Sequence, residues 1–206
     1  VFTTEGTALG LIDAQVWARQ GVGKAARRHQ LPIAQKESGK WLKSFDAAAR
    51  LQRQLGAAVT VVHIGDRESD IYEYFVPALR EPHGPHALVR ADSQQRKLDQ
   101  SEQKVREYLL SRPVQGERRV EIPRHKNRAG RSALLQIRFA TVDLQAPQDH
   151  RHLGSIRLAV IYVSEAEAPS GSEPIEWMLW TTLVVETEAH AWEKVDWYKR
   201  RWGIED

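Results

Sequence analysis

The chain has 206 residues, of which 41% are hydrophobic and 28% charged, with a formal net charge of +3 and no cysteine. That length can bury the core of one good-sized domain, and the absence of cysteine excludes disulfides and thiolate metal sites while permitting a reducing compartment. No apolar run approaches the roughly 20 residues that cross a bilayer, and the opening Val1-Phe-Thr-Thr-Glu-Gly6 has neither the charged nor the apolar region of a signal peptide. The chain lacks an initiator methionine, and its last residues, Ile204-Glu-Asp206, fall inside a helical pattern. It therefore reads as a fragment of a longer protein.

In chain order, Val1 to Thr4 reads as the tail of a strand, Gly6 as a turn, and Leu9 to Trp17 as the partner strand of a hairpin. Gln20 to Pro32, with Lys24, Arg27 and Arg28, is a basic surface loop. A helix is expected from Lys36 to about Leu55, burying Trp41, Phe45, Ala48, Leu51 and Leu55 and ending at Gly56. Val59 to Ile64 is a β-branched strand that stops at Gly65-Asp66. Arg67-Glu-Ser-Asp70 then leads into a helix whose apolar face is Ile71, Tyr72, Phe75 and Leu79. His86 to Arg90 is a further short strand, and Glu102 to Leu110 a short helix. The later part is β-rich: Arg118 to Ile122, Ser132 to Phe139 (Leu135, Ile137 and Phe139 sharing a face), Ile156 to Val163 and Ile175 to Val185, with a loop at Glu165 to Pro174. Ala189 to Asp206 closes the chain as a helix. On it Val195, Tyr198 and Trp202 form one stripe, Trp197, Arg201 and Glu205 an adjacent one, and Tyr198, Arg201 and Glu205 lie along one side.

Several residues stand out for chemistry. Asp66 follows a strand at its carboxyl end, where open α/β sheets place ligands and metals; it is equally suited to cap the next helix. Between Arg118 and Arg138 there are seven Arg or Lys (Arg118, Arg119, Arg124, Lys126, Arg128, Arg131, Arg138) against one acid, Glu121. Such one-sided clustering is the footprint of phosphate-backbone contact, the alternative being a solvated basic hairpin. His63, inside the strand before Asp66, has no second His or Cys at zinc spacing and reads as a core or strand-face histidine.

Three segments, Glu37-Ser-Gly-Lys-Trp41, Gly65-Asp-Arg-Glu-Ser-Asp-Ile71 and Tyr198-Lys-Arg-Arg-Trp-Gly-Ile-Glu205, resemble the DDE transposases of bacterial insertion sequences, in the insertion-sequence-four branch. That branch carries Tyr-x-x-Arg-x-x-x-Glu-(x6)-Lys on its last catalytic helix. Tyr198, Arg201 and Glu205 match its first three positions, and the lysine would fall beyond Asp206. The resemblance implies an α/β fold, an RNase H-like mixed sheet with helices, interrupted by a β-rich insertion before the last catalytic helix. It divides the chain into residues 1–91, an RNase H-like core without its first strand; 92–188, the insertion; and 189–206, the final catalytic helix. The family's first catalytic Asp would lie before Val1, and Asp13 does not match its place.

The activity implied is metal-dependent phosphodiester cleavage at transposon ends followed by strand transfer. Asp66 and Glu205 would be the catalytic residues and ligands of Mg2+ or Mn2+, although this fragment alone is expected to be inactive. Two such ions can serve both the attacking and the leaving oxygen of an in-line displacement, and Mg2+ prefers carboxylate and water ligands. Tyr198 and Arg201 would contact phosphates near the cleaved end. Trp177, in Pro174-Ile-Glu-Trp177-Met-Leu-Trp180, would stack on a flipped base, with core packing as the alternative; Trp180 reads as core. Arg90, Lys126, Arg128 and Arg131 are further expected DNA contacts, and Glu68 also suits a plain first-turn helix acid. The implied partners are double-stranded DNA, as transposon ends and target, and a second copy in a synaptic homodimer, with no membrane and a bacterial cytoplasmic, nucleoid-associated setting. The alternatives are a non-catalytic DNA-binding remnant of such a transposase and a generic RNase H-like nuclease; the latter leaves the Tyr198, Arg201, Glu205 spacing and Trp177 unexplained.

Overall fold

The computed structural model describes residues 1–16, 39–92, 95–124 and 130–201. Six strands form one mixed sheet: β1 (Val62–Gly65), β2 (His86–Arg90), β3 (Gly116–Ile122), β4 (Arg131–Leu144), β5 (Ile156–Glu165) and β6 (Glu176–Thr181). Their order is β1-β2-β6-β5-β4-β3, with β1 and β2 parallel and every other pair antiparallel. Four helices accompany them: α1 (Gly39–Leu55), α2 (Tyr72–Arg80), α3 (Val105–Leu110) and α4 (Glu188–Lys199). The strands of residues 1–91 and of residues 92–188 thus share one sheet, because β6 pairs with β2 on one side and β5 on the other. No helix among the described residues is long and apolar enough to cross a membrane.

Successive strand residues face opposite ways, and both faces are covered. Phe45, Tyr72, Tyr74 and Phe75 of α1 and α2 and Val105 and Leu109 of α3 pack on Ala87, Val89, Val160, Met178 and Trp180. On the other face, Ala191, Trp192, Val195 and Tyr198 of α4 pack on Leu88, Leu135, Ile137, Ile161 and Leu179. Central β5 is buried along both faces, which explains its near-continuous apolar run. In β4 the buried positions are Ala133, Leu135, Ile137 and Phe139 under α4, then Ala140, Val142 and Leu144 toward the opposite layer. One strand therefore serves both cores, and it runs past the expected end at Phe139.

Several expectations change. The expected hairpin reduces, among the described residues, to a bridge between Phe2 and Ala8, and no residue from Leu9 to Val16 is in a strand. With no long strand beside them, Leu11 and Val16 stay 87% and 100% exposed; Trp17 and residues 20–32 lie outside the described residues. Asp66 caps a 3-10 turn over Arg67–Ser69, not α2, which begins only at Tyr72 after extended backbone at Ile71. That delay rotates the buried face: Tyr72, Tyr74, Phe75, Val76 and Ala78 are inside while Leu79 is 40% exposed. In α1, Leu55 is likewise exposed, and Gln52 is buried in its stead. Its amide explains why: Nε2 donates to the carbonyls of Gly56 (2.9 Å) and Val59 (2.7 Å), and Oε1 accepts from the Val61 N–H (2.7 Å), tying α1 to the start of β1. Gly56, at φ +69°, takes the left-handed place that ends a helix. Strand β6 stops at Thr181, whose hydroxyl donates to the Ala87 carbonyl and accepts from the Leu183 N–H.

Among the described residues the last helix leaves α-helical backbone after Lys199. Thr187 caps it by accepting from the His190 N–H, and α4 ends at Lys199. The Arg200 N–H reaches the carbonyls of Trp197 and Tyr198, tightening the chain into a 3-10 turn through Arg201.

Candidate functional site

The site candidate begins at the carboxyl end of β1. Gly65 is required there by close approach: a Cβ on it would lie 1.9 Å from Ser69 Oγ and 2.8 Å from Ser69 Cβ. Ser69 is fully buried and donates from its hydroxyl to the Asp66 carbonyl at 2.7 Å. The result is a tight turn that turns the Asp66 side chain back on itself: Oδ1 accepts the Glu68 N–H at 2.9 Å. Oδ2 accepts from Arg201 Nη2 at 2.8 Å, with Asp66 and Arg201 side chains 29% and 20% exposed. One carboxylate oxygen of Asp66 thus caps the 3-10 turn and the other meets Arg201.

Around this pair the sheet assembles other expected residues. Parallel pairing sets Gly65 beside Val89, so Arg90 ends β2 next to Asp66. The Arg90 guanidinium lies 5.8 Å from the Trp177 ring on β6, a distance at which a cation is attracted to the aromatic face. Trp177 meets Tyr198 of α4 edge to face, with centroids 5.9 Å apart at 68°. Tyr198 is 1% exposed. Burial raises its pKa, opposed by the charges of Arg90 and Arg201 and a hydrogen bond with Arg90, while Asp66 adds to the rise. Asp66, Arg90, Trp177, Tyr198 and Arg201 thus come from β1, β2, β6 and the end of α4 to one place. Tyr198 reaches that place as a buried support, so Arg90 and Arg201 are its reachable polar groups.

The remaining expected residues stand elsewhere. Glu205, Lys126 and Arg128 lie outside the described residues, as do Glu37, Ser38 and Trp202. Arg131 forms a forked pair with buried Glu165 at the far strands of the sheet; Glu165 also accepts the Ile175 N–H, and the Arg131 pairing lowers its pKa. Others of the basic run are also engaged within the fold. Arg118 chelates Asp196 at 2.8 Å and lies 4.3 Å from the Trp192 ring, and Arg138 donates to the Arg112 carbonyl. Glu68 pairs with Lys40 at 2.5 Å. Trp180 is fully buried, as expected.

His63 is a packed histidine. Its two ring nitrogens meet Ser44 Oγ at 2.8 Å and the Tyr74 hydroxyl at 2.5 Å, and Trp41, Phe45 and Tyr74 surround the ring. Burial pushes its pKa down to about 4, so it stays neutral.

Sequence reasoning missed the residue that anchors the site turn. Asp70, 1% exposed at its side chain, takes Arg96 Nη2 at 2.5 Å and Nε at 3.1 Å on Oδ1, and the Asp92 N–H at 2.9 Å on Oδ2. Arg96 also donates to the Asp70 carbonyl at 3.1 Å. The pair locks the turn after β1 to the segment after β2. Nothing in residue spacing announces a partner so far along the chain.

Asp66 has the hard oxygen donors that suit Mg2+ or Mn2+ and fits one ligand position. Among the described residues no group of three His, Cys, Asp or Glu is gathered around a common point. No family model matches the chain.

Proposed function

We propose that this chain is the catalytic part of a DNA transposase of RNase H-like fold, cutting phosphodiester bonds at transposon ends and transferring the freed strand. The observation that carries the reading is the meeting of Asp66, Arg90, Trp177 and Arg201 at the carboxyl end of β1 and β2. These are four of the residues picked from sequence motifs far apart in the chain. A carboxylate, two guanidinium groups and a half-buried indole suit one substrate class, a strand end with a phosphate and an accessible base.

The roles follow from the chemistry of the groups. Arg90 and Arg201 offer planar forks to phosphate oxygens. Trp177, held by Arg90 and Tyr198, presents a ring for base stacking, worth about 1–3 kcal/mol per base. Tyr198 orients Trp177 and Arg90 from beneath. Asp66, with Glu205, would hold the divalent ion, and bound Mg2+ or Mn2+ supplies charge stabilisation to the attacking and leaving oxygens. The partners under this reading are double-stranded DNA and a second copy of the protein.

The test is strand transfer by the full-length protein on the ends of its own element. Asp66→Ala and Glu205→Ala should each abolish transfer while end binding persists. Undiminished transfer in either variant refutes the assignment. Wild-type protein that binds ends and never cuts would favour a non-catalytic DNA-binding remnant.

A further inference from the structure

Resting on that reading of the site, we infer that the Asp66–Arg201 ion pair is an autoinhibitory contact that DNA must open. Three observations carry it. Both oxygens of Asp66 are engaged, Oδ1 by the Glu68 N–H and Oδ2 by Arg201. The tight turn over Arg67–Ser69, backed by Gly65 and the Asp70–Arg96 lock, holds the carboxylate in that position. Arg201 stands beyond the last α-helical residue, Lys199, where the backbone has already tightened, so its guanidinium is carried by a helix end. The rigid partner is therefore the acid and the adjustable partner the arginine.

The Arg201 Nη2–H that holds Asp66 is not available to a phosphate at the same time. A carboxylate oxygen that holds a guanidinium is likewise less able to accept a cation. A phosphate oxygen arriving at Arg201 exchanges one anion for another and releases Asp66 Oδ2. Phosphate binding and the readiness of the acid are thereby coupled through one exchange of hydrogen bonds, with no larger movement required. Arg90, already placed against Trp177 and Tyr198, supplies positive potential that draws the phosphate in. In the absence of DNA the site is held closed.

The exchange predicts a contest that can be measured without metal. The intact chain is titrated against a short fluorescent duplex in EDTA, reading anisotropy. Asp66→Asn keeps the acceptor for the Glu68 N–H and removes the charge that holds Arg201, so duplex binding should tighten about fivefold, the scale of a partly exposed ion pair. In an Arg201→Gln background the same change should give no gain. Asp66→Ala serves as a second variant should the Asn form a new contact. An equal gain with and without Arg201 would reduce the effect to general loss of negative charge and overturn the proposal. Absence of any gain would overturn it too. If Arg201→Gln and Arg90→Gln both leave duplex binding unchanged, the reading of the site fails and the gate falls with it; if they weaken binding while Asp66→Asn does nothing, only the gate falls.

Discussion

Asp70→Ala should be strongly destabilising. The side chain is 1% exposed and its partner Arg96 14%, so removal strands a largely buried guanidinium. The lost bonds are Arg96 Nη2 at 2.5 Å and Nε at 3.1 Å, and the Asp92 N–H at 2.9 Å. Breaking one partner of a buried pair leaves an uncompensated charge and typically costs about 3–5 kcal/mol. Against a domain stability of about 5–15 kcal/mol, that is about a fifth of the total or more. Urea unfolding followed by tryptophan fluorescence reads the loss as a shift of midpoint at constant slope. The exposed Asp143–Arg157 pair, with side chains 45% and 73% exposed, is the control: Asp143→Ala should leave the midpoint unmoved. Asp70→Ala with Arg96→Met should recover much of the loss, because no charge then remains unpaired. A loss below about 1 kcal/mol for Asp70→Ala would refute the argument that this pair is desolvated and locks the turn.

Three further outcomes follow from the same geometry. His63 has a folded pKa near 4, below the usual 6.5, so its contribution is fully present above about pH 6.5 and lost as pH falls through 4. The change across that window is about 3 kcal/mol, and His63→Gln should flatten the stability profile there. Gly65→Ala should cost about 1–3 kcal/mol by overpacking against Ser69; because the clash is with one side chain, Gly65→Ala with Ser69→Gly should regain part of it in the same unfolding assay. Gln52→Ala should lower stability by about 1–3 kcal/mol through the orphaned Val61 N–H and the Gly56 and Val59 carbonyls; faster amide exchange at Val61 would show it, and unchanged exchange would contradict it.

Much of this arrangement could be read from residues alone where the signal was local. β1 and β2, the body of α1 and the apolar face of β4 follow from β-branched runs, helical spacing and alternation. The gathering of Asp66, Arg90, Trp177 and Arg201 was legible because two motifs and a strand end each carry their own chemistry. What escaped was non-local or depended on competition between groups. Asp70 is an acid before a helix by its sequence, yet Arg96 and the Asp92 N–H claim it, and this delays α2 until Tyr72 and leaves Leu79 outside. Gln52 sits at an apolar position because three backbone groups need it there. The basic run around Arg131 appeared one-sided in sequence, but Glu165, Asp196 and the Arg112 carbonyl supply its counterparts from distant segments. The Leu9 to Trp17 pattern had strand alternation, but its described residues join no strand of the sheet, and pattern cannot supply a neighbour.

The position of β6 has a consequence for how the protein is made. It is the last of the described strands in sequence, yet it lies between β2 and β5. During synthesis the β1-β2 pair and the β3-β4-β5 meander emerge from the ribosome first, each with an unsatisfied edge facing the other. Their shared neighbour is residues 176–181, and the same segment carries Trp177 to Arg90 and leads into α4. The sheet and the site are therefore completed by the same strand, and a chain truncated before β6 would leave the β2 and β5 edges unpaired.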